Sequence, residues 1–350
     1  MRLASVEVIP YALPFREPYV TARGRLEQRE MVLLRLRDEH GLVGLGEAVP
    51  MSLRGGATLV DVVRELEALD DLPSLDESAF GEAPGGFSAP ARCAVSIALL
   101  DLRGRRAAGL ARPGTSPPVA CNATLVAGAP AAVAADATRW AEDGFSTFKL
   151  KLGAGDDVAQ VRAVREAVGA SARIRVDANA AWDLETAKQT LVELESFGIE
   201  LAEQPVATME ELAALAGATS IPLAADESVA SATEAERAAA LGACAYTGIK
   251  LSKVGGPERA LEIADILPAY VSSALDGPVG IAAAAQVAQT LHDTDRPERL
   301  DLAHGLATQC LFASTVAAVA CELRDGMLHL PPGPGLGVEI DERALDLHRL

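Results

Sequence analysis

Residues 146–183 read STFKLKLGAGDDVAQVRAVREAVGASARIRVDANAAWD, and the rhythm of this stretch fixes the fold. STFKLKL is a short strand, DDVAQVRAVREAVG carries apolar residues at helical spacing, and RIRVDAN returns to a strand. Within the first strand Lys149 and Lys151 are two residues apart, so both side chains face the same side. Paired lysines suit a solvated edge strand, where they discourage aggregation. They equally suit a reaction site, where a second cation lowers a lysine's pKa toward that of a useful base. The same rhythm continues on both sides, in VACNATL, IELAEQP, IPLAADE, YTGIKLS, AYVSSAL and ERLDLAHG, each strand-like and each next to an Ala-rich helical segment. Such a series predicts an α/β fold with a parallel sheet, either a doubly wound sheet or a closed (β/α)8-type barrel, and eight units without a long insertion favour the barrel.

Before this series the pattern differs. RLASVEVIPYAL is strand-like, MVLLRLRDEHGLVGLGEA resembles a hairpin turning at Glu39 to Gly41, and DVVRELEALDDL and ARCAVSIALLDLRGRRAAG are helical. GLVGLG lies in that hairpin and not ahead of a helix, so it reads as turn geometry and not as a phosphate loop. The Pro- and Gly-rich GLARPGTSPP marks a boundary. The expected division is an α+β unit over 1–116, a barrel over 117–320, and a segment over 321–350 that packs back on the first unit.

With 350 residues, 49% hydrophobic and 23% charged, the composition is that of a globular protein with a large core. The net charge of −18 argues against nucleic acid and anionic lipid as partners. No apolar run is long enough for a spanning helix, and MRLASVEVIPYALPF lacks the apolar block of a signal peptide. Five scattered cysteines, never in a CxxC pair, read as buried small side chains in a reducing cytoplasm. The expected partner is a small molecule, and self-association is left open.

Late in successive strands stand Lys149 and Lys151, then Asp177 and Asn179, Glu203, Asp226 and Lys250. Lys151 to Asp177 and Asp177 to Glu203 are each 26 residues, Glu203 to Asp226 is 23 and Asp226 to Lys250 is 24, about one strand-and-helix period each. Periodic placement brings these groups onto one rim, the face where barrels carry their chemistry. Three carboxylates there repel one another unless a cation compensates them, and oxygen ligands without His or Cys suit Mg²⁺ better than Zn²⁺. Singly, each acid would serve as a helix N-cap, and Lys253 reads as a surface lysine. Jointly, five charged groups in register point to a site.

The ordered set KLK, DANAAWD, AEQP, ADES and IKLSKVGG, on a barrel preceded by an α+β unit, resembles the enolase superfamily in its muconate-lactonizing subgroup. The resemblance implies a (β/α)7β TIM-like barrel with an N-terminal α+β capping domain completed by the C-terminal segment. It further implies Mg²⁺ on Asp177, Glu203 and Asp226, opposed catalytic lysines at Lys151 and Lys250, Lys149 against a substrate carboxylate, and Asn179 among the substrate-binding residues. VSSALDGPVGIAAA, 271–284, and LAHGLATQCLF are similar to segments of o-succinylbenzoate synthases, which places Ser273 and Asp276 among substrate contacts. Those lyases dehydrate a hydroxycyclohexadiene carboxylate bearing a succinyl arm, in menaquinone biosynthesis. Lys151 would then be both base and acid, and Lys250 would stabilise the enediolate. N-acylamino acid racemases, dipeptide epimerases and muconate-type cycloisomerases share the same lysines. Epimerases usually carry a DxD pair in the eighth strand, where this chain has Asp301 in LDLAHGL without a second acid. A loop around Tyr19 to Arg25 is expected to cover the substrate. A barrel kept only as a scaffold would be expected to have lost part of this set, and none of it is missing.

Overall fold

A computed structural model describes the chain apart from residues 1–2, 22–23, 53–54, 72–85, 108–116 and 293–301. Strands β1 (Leu3–Thr21), β2 (Gly24–Asp38) and β3 (Val43–Ala48) form an antiparallel sheet in that order. Its alternation separates two cores. Val32, Leu34 and Leu36 face the helices Leu59–Glu67 and Ala89–Arg106, while Met31 and Leu33 join the core shared with the barrel. The turn after β2 comes where expected, with Gly41 at φ +83°. The other glycines of GLVGLG are not turn residues. Gly44 and Gly46 lie in β3 under the helix Ala89–Arg106, where a Cβ at either would run into the backbone carbonyls of Ala98 and Ala94.

The short strand β4 (Val119–Ala120) leads into β5 (Ala123–Leu125), β6 (Thr147–Lys151), β7 (Arg173–Asp177), β8 (Ile199–Glu203), β9 (Leu223–Ala225), β10 (Tyr246–Ile249) and β11 (Ala269–Val271). The seven from β5 to β11 are parallel neighbours in chain order. Residues 302–305 complete the ring. His304 bridges to Cys121 and Gly305 to Ser272, both parallel, with Asn122 N donating to His304 O at 2.9 Å and Gly305 N to Val271 O at 2.8 Å. Helices lie outside between consecutive strands, and Pro278–His292 precedes the closing segment, which makes the barrel (β/α)7β. No described helix is long and apolar enough to cross a membrane. The boundary expected near residue 116 falls against 108–116, outside the described residues.

After the ring, β12 (Ala317–Val319) pairs with β15 (Glu339–Ile340), and the hairpin of β13 (Glu322–Arg324) and β14 (Met327–His329) adds to β4. The terminal helix Glu342–His348 sits against β1. Arg35 of β2 donates to both Glu342 oxygens, at 2.7 and 2.8 Å, and Leu350 N donates to Pro10 O at 3.0 Å. The C-terminal segment therefore completes the N-terminal sheet domain.

One buried acid ties sheet to barrel. Glu47 of β3 accepts from Gly277 N at 2.7 Å, Gly280 N at 3.2 Å and Val279 N at 3.3 Å, and from the Tyr11 hydroxyl at 2.9 Å. A side chain of one domain thus caps the barrel helix Pro278–His292 of the other. Arg29 reinforces the joint, donating to Pro50 O at 2.9 Å and Ala274 O at 3.1 Å. Burial pushes the Glu47 carboxyl up, the nearby Asp276 adds to this, the hydrogen bonds oppose it, and the balance is about 7.

A carboxyl raised in the fold binds its proton more tightly there than in the unfolded chain. Its contribution to stability is complete below the unfolded value and is lost as pH rises toward 7. Urea titrations at pH 4.5 and pH 8 should therefore show Glu47→Gln gaining on the wild type with rising pH, by on the order of 2–3 kcal/mol. An unchanged difference between the two proteins would contradict this.

Candidate active site

The strand ends β6 to β10 collect the charged residues anticipated from the sequence. Paired in register, Lys151 lies beside Asp177 and Asp177 beside Glu203. Lys149 Nζ lies 2.5 Å from Glu203 Oε2 and 2.8 Å from Asp177 Oδ2. Lys151 Nζ lies 2.6 Å from the same Asp177 oxygen and donates to Asn179 Oδ1 at 2.7 Å. On the next strands Lys250 pairs with Asp226 Oδ2, and Lys253 Nζ reaches Asp226 Oδ1 at 2.9 Å. Asp177, Glu203 and Asp226 are fully buried.

These contacts decide the alternatives left open by the sequence. β6 has a neighbour on each side and the Lys149 side chain is only 7% exposed, so this is no solvated edge. The three acids are not helix caps either. That role falls to Asp156, Asp183, Thr208 and Ser231, whose side chains accept from the first turns of the helices that follow. Lys253 is not a surface lysine, because its ammonium is held by Asp226 and by Gly248 O at 3.2 Å.

Above the charges lies a pocket lined by Lys149, Lys151, Asn179, Lys250, Ser272, Ser273, Gly305 and Thr308. Tyr19 and Leu26 close it from the N-terminal domain. The expected covering loop is a paired hairpin tip instead. Tyr19 faces Leu26 and Thr21 faces Gly24, and Phe15 stacks between Tyr19 and Phe312 with ring centroids 5.6 and 5.0 Å away. Its tip, 22–23, lies outside the described residues. Asp276 is not in the wall. Its Oδ2 takes the Ser273 hydroxyl at 2.8 Å and Ala274 N at 2.7 Å, which shapes the loop after β11.

Left-handed backbone recurs along the rim. Asn179 (φ +48°), Ala180 (φ +61°), Gln204 (φ +37°) and Leu275 (φ +67°) are left-handed without being glycine. Gln204, quoted in the AEQP motif but given no role, fastens two strand ends. Its Oε1 accepts from Asp226 N at 2.9 Å and its Nε2 donates to Ser228 Oγ at 2.7 Å. The sequence also gave no role to Tyr270, whose hydroxyl donates to Glu203 Oε2. Its period-2 relation to Ser272 in AYVSSAL was the available signal.

Electrostatics depart from one expectation. Burial and the neighbouring Lys149 disfavour the Lys151 ammonium, but Asp177 together with Tyr19 and Glu203 outweighs them, so its pKa is raised and not lowered. Lys149 is raised as well, with burial opposed by Asp177 and Glu203. Asp177 is held low despite burial by its two lysines, whereas burial and the Asp177 charge push Glu203 up.

Among the described residues no three acids, histidines or cysteines form a group able to grip an ion as they stand. The ammonium of Lys149 stands between Asp177 and Glu203, and that of Lys250 against Asp226. The donor set still fits a hard cation in kind. It is all carboxylate, and Glu203 Oε1 is buried without a hydrogen-bond partner, an atom whose desolvation a cation would offset.

Comparison with known proteins gives two family matches that together span most of the chain. Residues 3–110 match the mandelate racemase / muconate lactonizing enzyme N-terminal domain, and residues 132–344 match the enolase C-terminal domain-like family. The structure superposes on a muconate lactonizing enzyme from Pseudomonas fluorescens complexed with muconolactone, with TM-score 0.91 and 28% identity over 100% of this chain and 99% of the other. It superposes on a dipeptide epimerase from Enterococcus faecalis V583 complexed with Mg and the dipeptide L-Leu-L-Tyr, with TM-score 0.86 and 27% identity over 97% and 100%. An o-succinylbenzoate synthase from Thermobifida fusca is 39% identical over 183 residues, 50% of this chain and 56% of that one.

Removing one cation should expose what it balances. Lys149→Met leaves Asp177 and Glu203 buried with less counter-charge, and urea denaturation in EDTA should show a loss of roughly 3–5 kcal/mol. A loss below about 1 kcal/mol, the range of an exposed pair, would show that the bridge does not carry this balance.

Proposed function

The chain belongs to the enolase superfamily, with the paired domains of mandelate racemase and muconate lactonizing enzyme, and from that premise we propose that it dehydrates a hydroxycyclohexadiene carboxylate bearing a succinyl arm to o-succinylbenzoate. The observation that carries the reading is the placement of two lysines. Counting β5 as the first strand of the ring, β6 is the second and β10 leads into Lys250 as the sixth. Second and sixth strands of eight are diametrically opposed, so Lys151 and Lys250 face one another across the pocket they both line. A carbon acid held between them has an amine on each face.

Lys151 takes the proton from the carbon next to the carboxylate and returns it to the departing hydroxyl, so that one C–H and one C–O bond break and water leaves. Lys250 keeps its proton and stabilises the negative charge that develops. Asn179 Oδ1, 2.7 Å from Lys151 Nζ, aims the amine. Lys149 is assigned to the substrate carboxylate and Ser273, which also lines the pocket, to the succinyl arm. Asp276 is assigned a supporting role through Ser273. Mg²⁺ is the cation assigned to Asp177, Glu203 and Asp226, and when bound it supplies Lewis-acid stabilisation of charge on the substrate carboxylate. Asp177 contributes most to raising the Lys151 pKa, so a cation held at Asp177 would lower it toward that of a base.

Dehydration is preferred over epimerisation because Glu227, the one carboxylate among the described lining residues, accepts from Asn179 Nδ2 at 3.3 Å, and the motif LDLAHGL has no second acid two residues after Asp301, which itself lies outside the described residues. The shared identity with an o-succinylbenzoate synthase supports the same choice. Epimerisation of a dipeptide or an N-acylamino acid is the second reading, favoured by the full-length likeness to a dipeptide epimerase.

Incubation of the cyclohexadiene substrate with enzyme and Mg²⁺ should give an aromatic product by ultraviolet absorbance. No aromatic product, together with deuterium exchange at the α-carbon of dipeptides or N-succinyl amino acids, would replace the first reading with the second. Lys151→Ala should lower turnover by roughly 10²–10⁴-fold, and full activity would remove it as the base. EDTA should abolish turnover and added Mg²⁺ restore it.

A further inference from the structure

Tyr270 is not used above, yet it touches the acid at the centre of the charge cluster. Its ring is fully buried in β11, and the Arg175 guanidinium lies over it, 5.1 Å from the centroid. Arg175 is itself fastened, Nη1 donating to Ala303 O at 2.6 Å and Nε to Glu200. Guanidinium, ring, hydroxyl and carboxylate thus stack in series inside the barrel and end at Glu203. The two Glu203 oxygens differ sharply. Oε2 takes both the Tyr270 hydroxyl and Lys149 Nζ, while Oε1 is buried with no hydrogen-bond partner. Lys149, on a flexible stem, could follow either oxygen. A phenol on a ring packed against Arg175 cannot.

We propose that Tyr270 is a positioning residue that anchors Oε2 of Glu203 and thereby holds Oε1 ready for the divalent cation. The proposal rests on the Mg²⁺ assignment made above. It predicts what a tyrosine serving only to fill the core does not: loss of the hydroxyl weakens ion binding while the fold survives, because phenylalanine keeps the ring on Arg175.

Calorimetric titration of MgCl₂ into wild type and Tyr270→Phe, both first stripped with EDTA, separates the cases. The expected result is a Kd weakened roughly 10–100-fold in the variant, as for other groups that orient metal ligands. A Kd within about twofold of wild type overturns the role of Tyr270. Absence of Mg²⁺ binding by the wild type itself overturns the Mg²⁺ assignment, and this role with it. Should Tyr270→Phe fail to fold, the wild-type chain carrying 3-fluorotyrosine gives a second measurement. Its four tyrosines are few enough to assign by Phe substitution at Tyr11, Tyr19 and Tyr246. The Tyr270 fluorine resonance should then move with Mg²⁺ in step with the calorimetric saturation, and a resonance that stays still overturns the proposal.

Discussion

Charge balance inside the barrel mouth is the constraint on which the structure depends. Asp177, Glu203 and Asp226 are withdrawn from water completely, and at protein-like dielectric two like charges 4 Å apart repel by about 4 kcal/mol. Lys149, Lys151, Lys250 and Lys253 answer them at close range, from strands on both sides of the acids. The arrangement requires every one of those strand ends to arrive at the same level. That is a demand on register along the whole ring, met by a strict succession of parallel neighbours from β5 to β11.

The ring in turn needs a closing strand and a lid. Closure comes from residues 302–305, too short and too irregular to be a strand in isolation, held on both flanks by backbone hydrogen bonds. The covering hairpin reaches the pocket because Phe15 is clamped between Tyr19 and Phe312, a residue that follows the barrel. N-terminal, central and C-terminal parts of the chain all contribute to one cavity wall or its support.

Much of this was legible in the sequence because parallel strands buried on both faces leave a simple record. Polar residues at strand ends, recurring once per strand and helix, can only meet on one rim, so the positions of Lys149, Lys151, Asp177, Glu203, Asp226 and Lys250 followed from spacing. What spacing does not encode is direction within a turn. Lys253 was read as solvent-exposed because it follows Lys250 by three residues, and the short helix Leu251–Val254 folds it back onto Asp226. Asp276 looked like a wall residue by likeness, and the Ser273 hydroxyl and the Ala274 amide before it take its carboxylate instead. The Lys151 pKa was misjudged in sign because the sequence shows its neighbour along the strand, Lys149, and not its neighbour across the sheet, Asp177. Gly44 and Gly46 were misread as turn residues for a similar reason, their partner being a helix some 50 residues away.

Glu47 gives the two domains a common inheritance. A barrel separated from its cap would lose the acceptor that Glu47 offers to the amides of Gly277, Val279 and Gly280, and a cap separated from its barrel would lose the same three donors. Chimeras that exchange caps among relatives would have to carry an acceptor at this strand position with them, so recombination at the linker is filtered by one hydrogen-bonded corner as much as by the fit of the substrate.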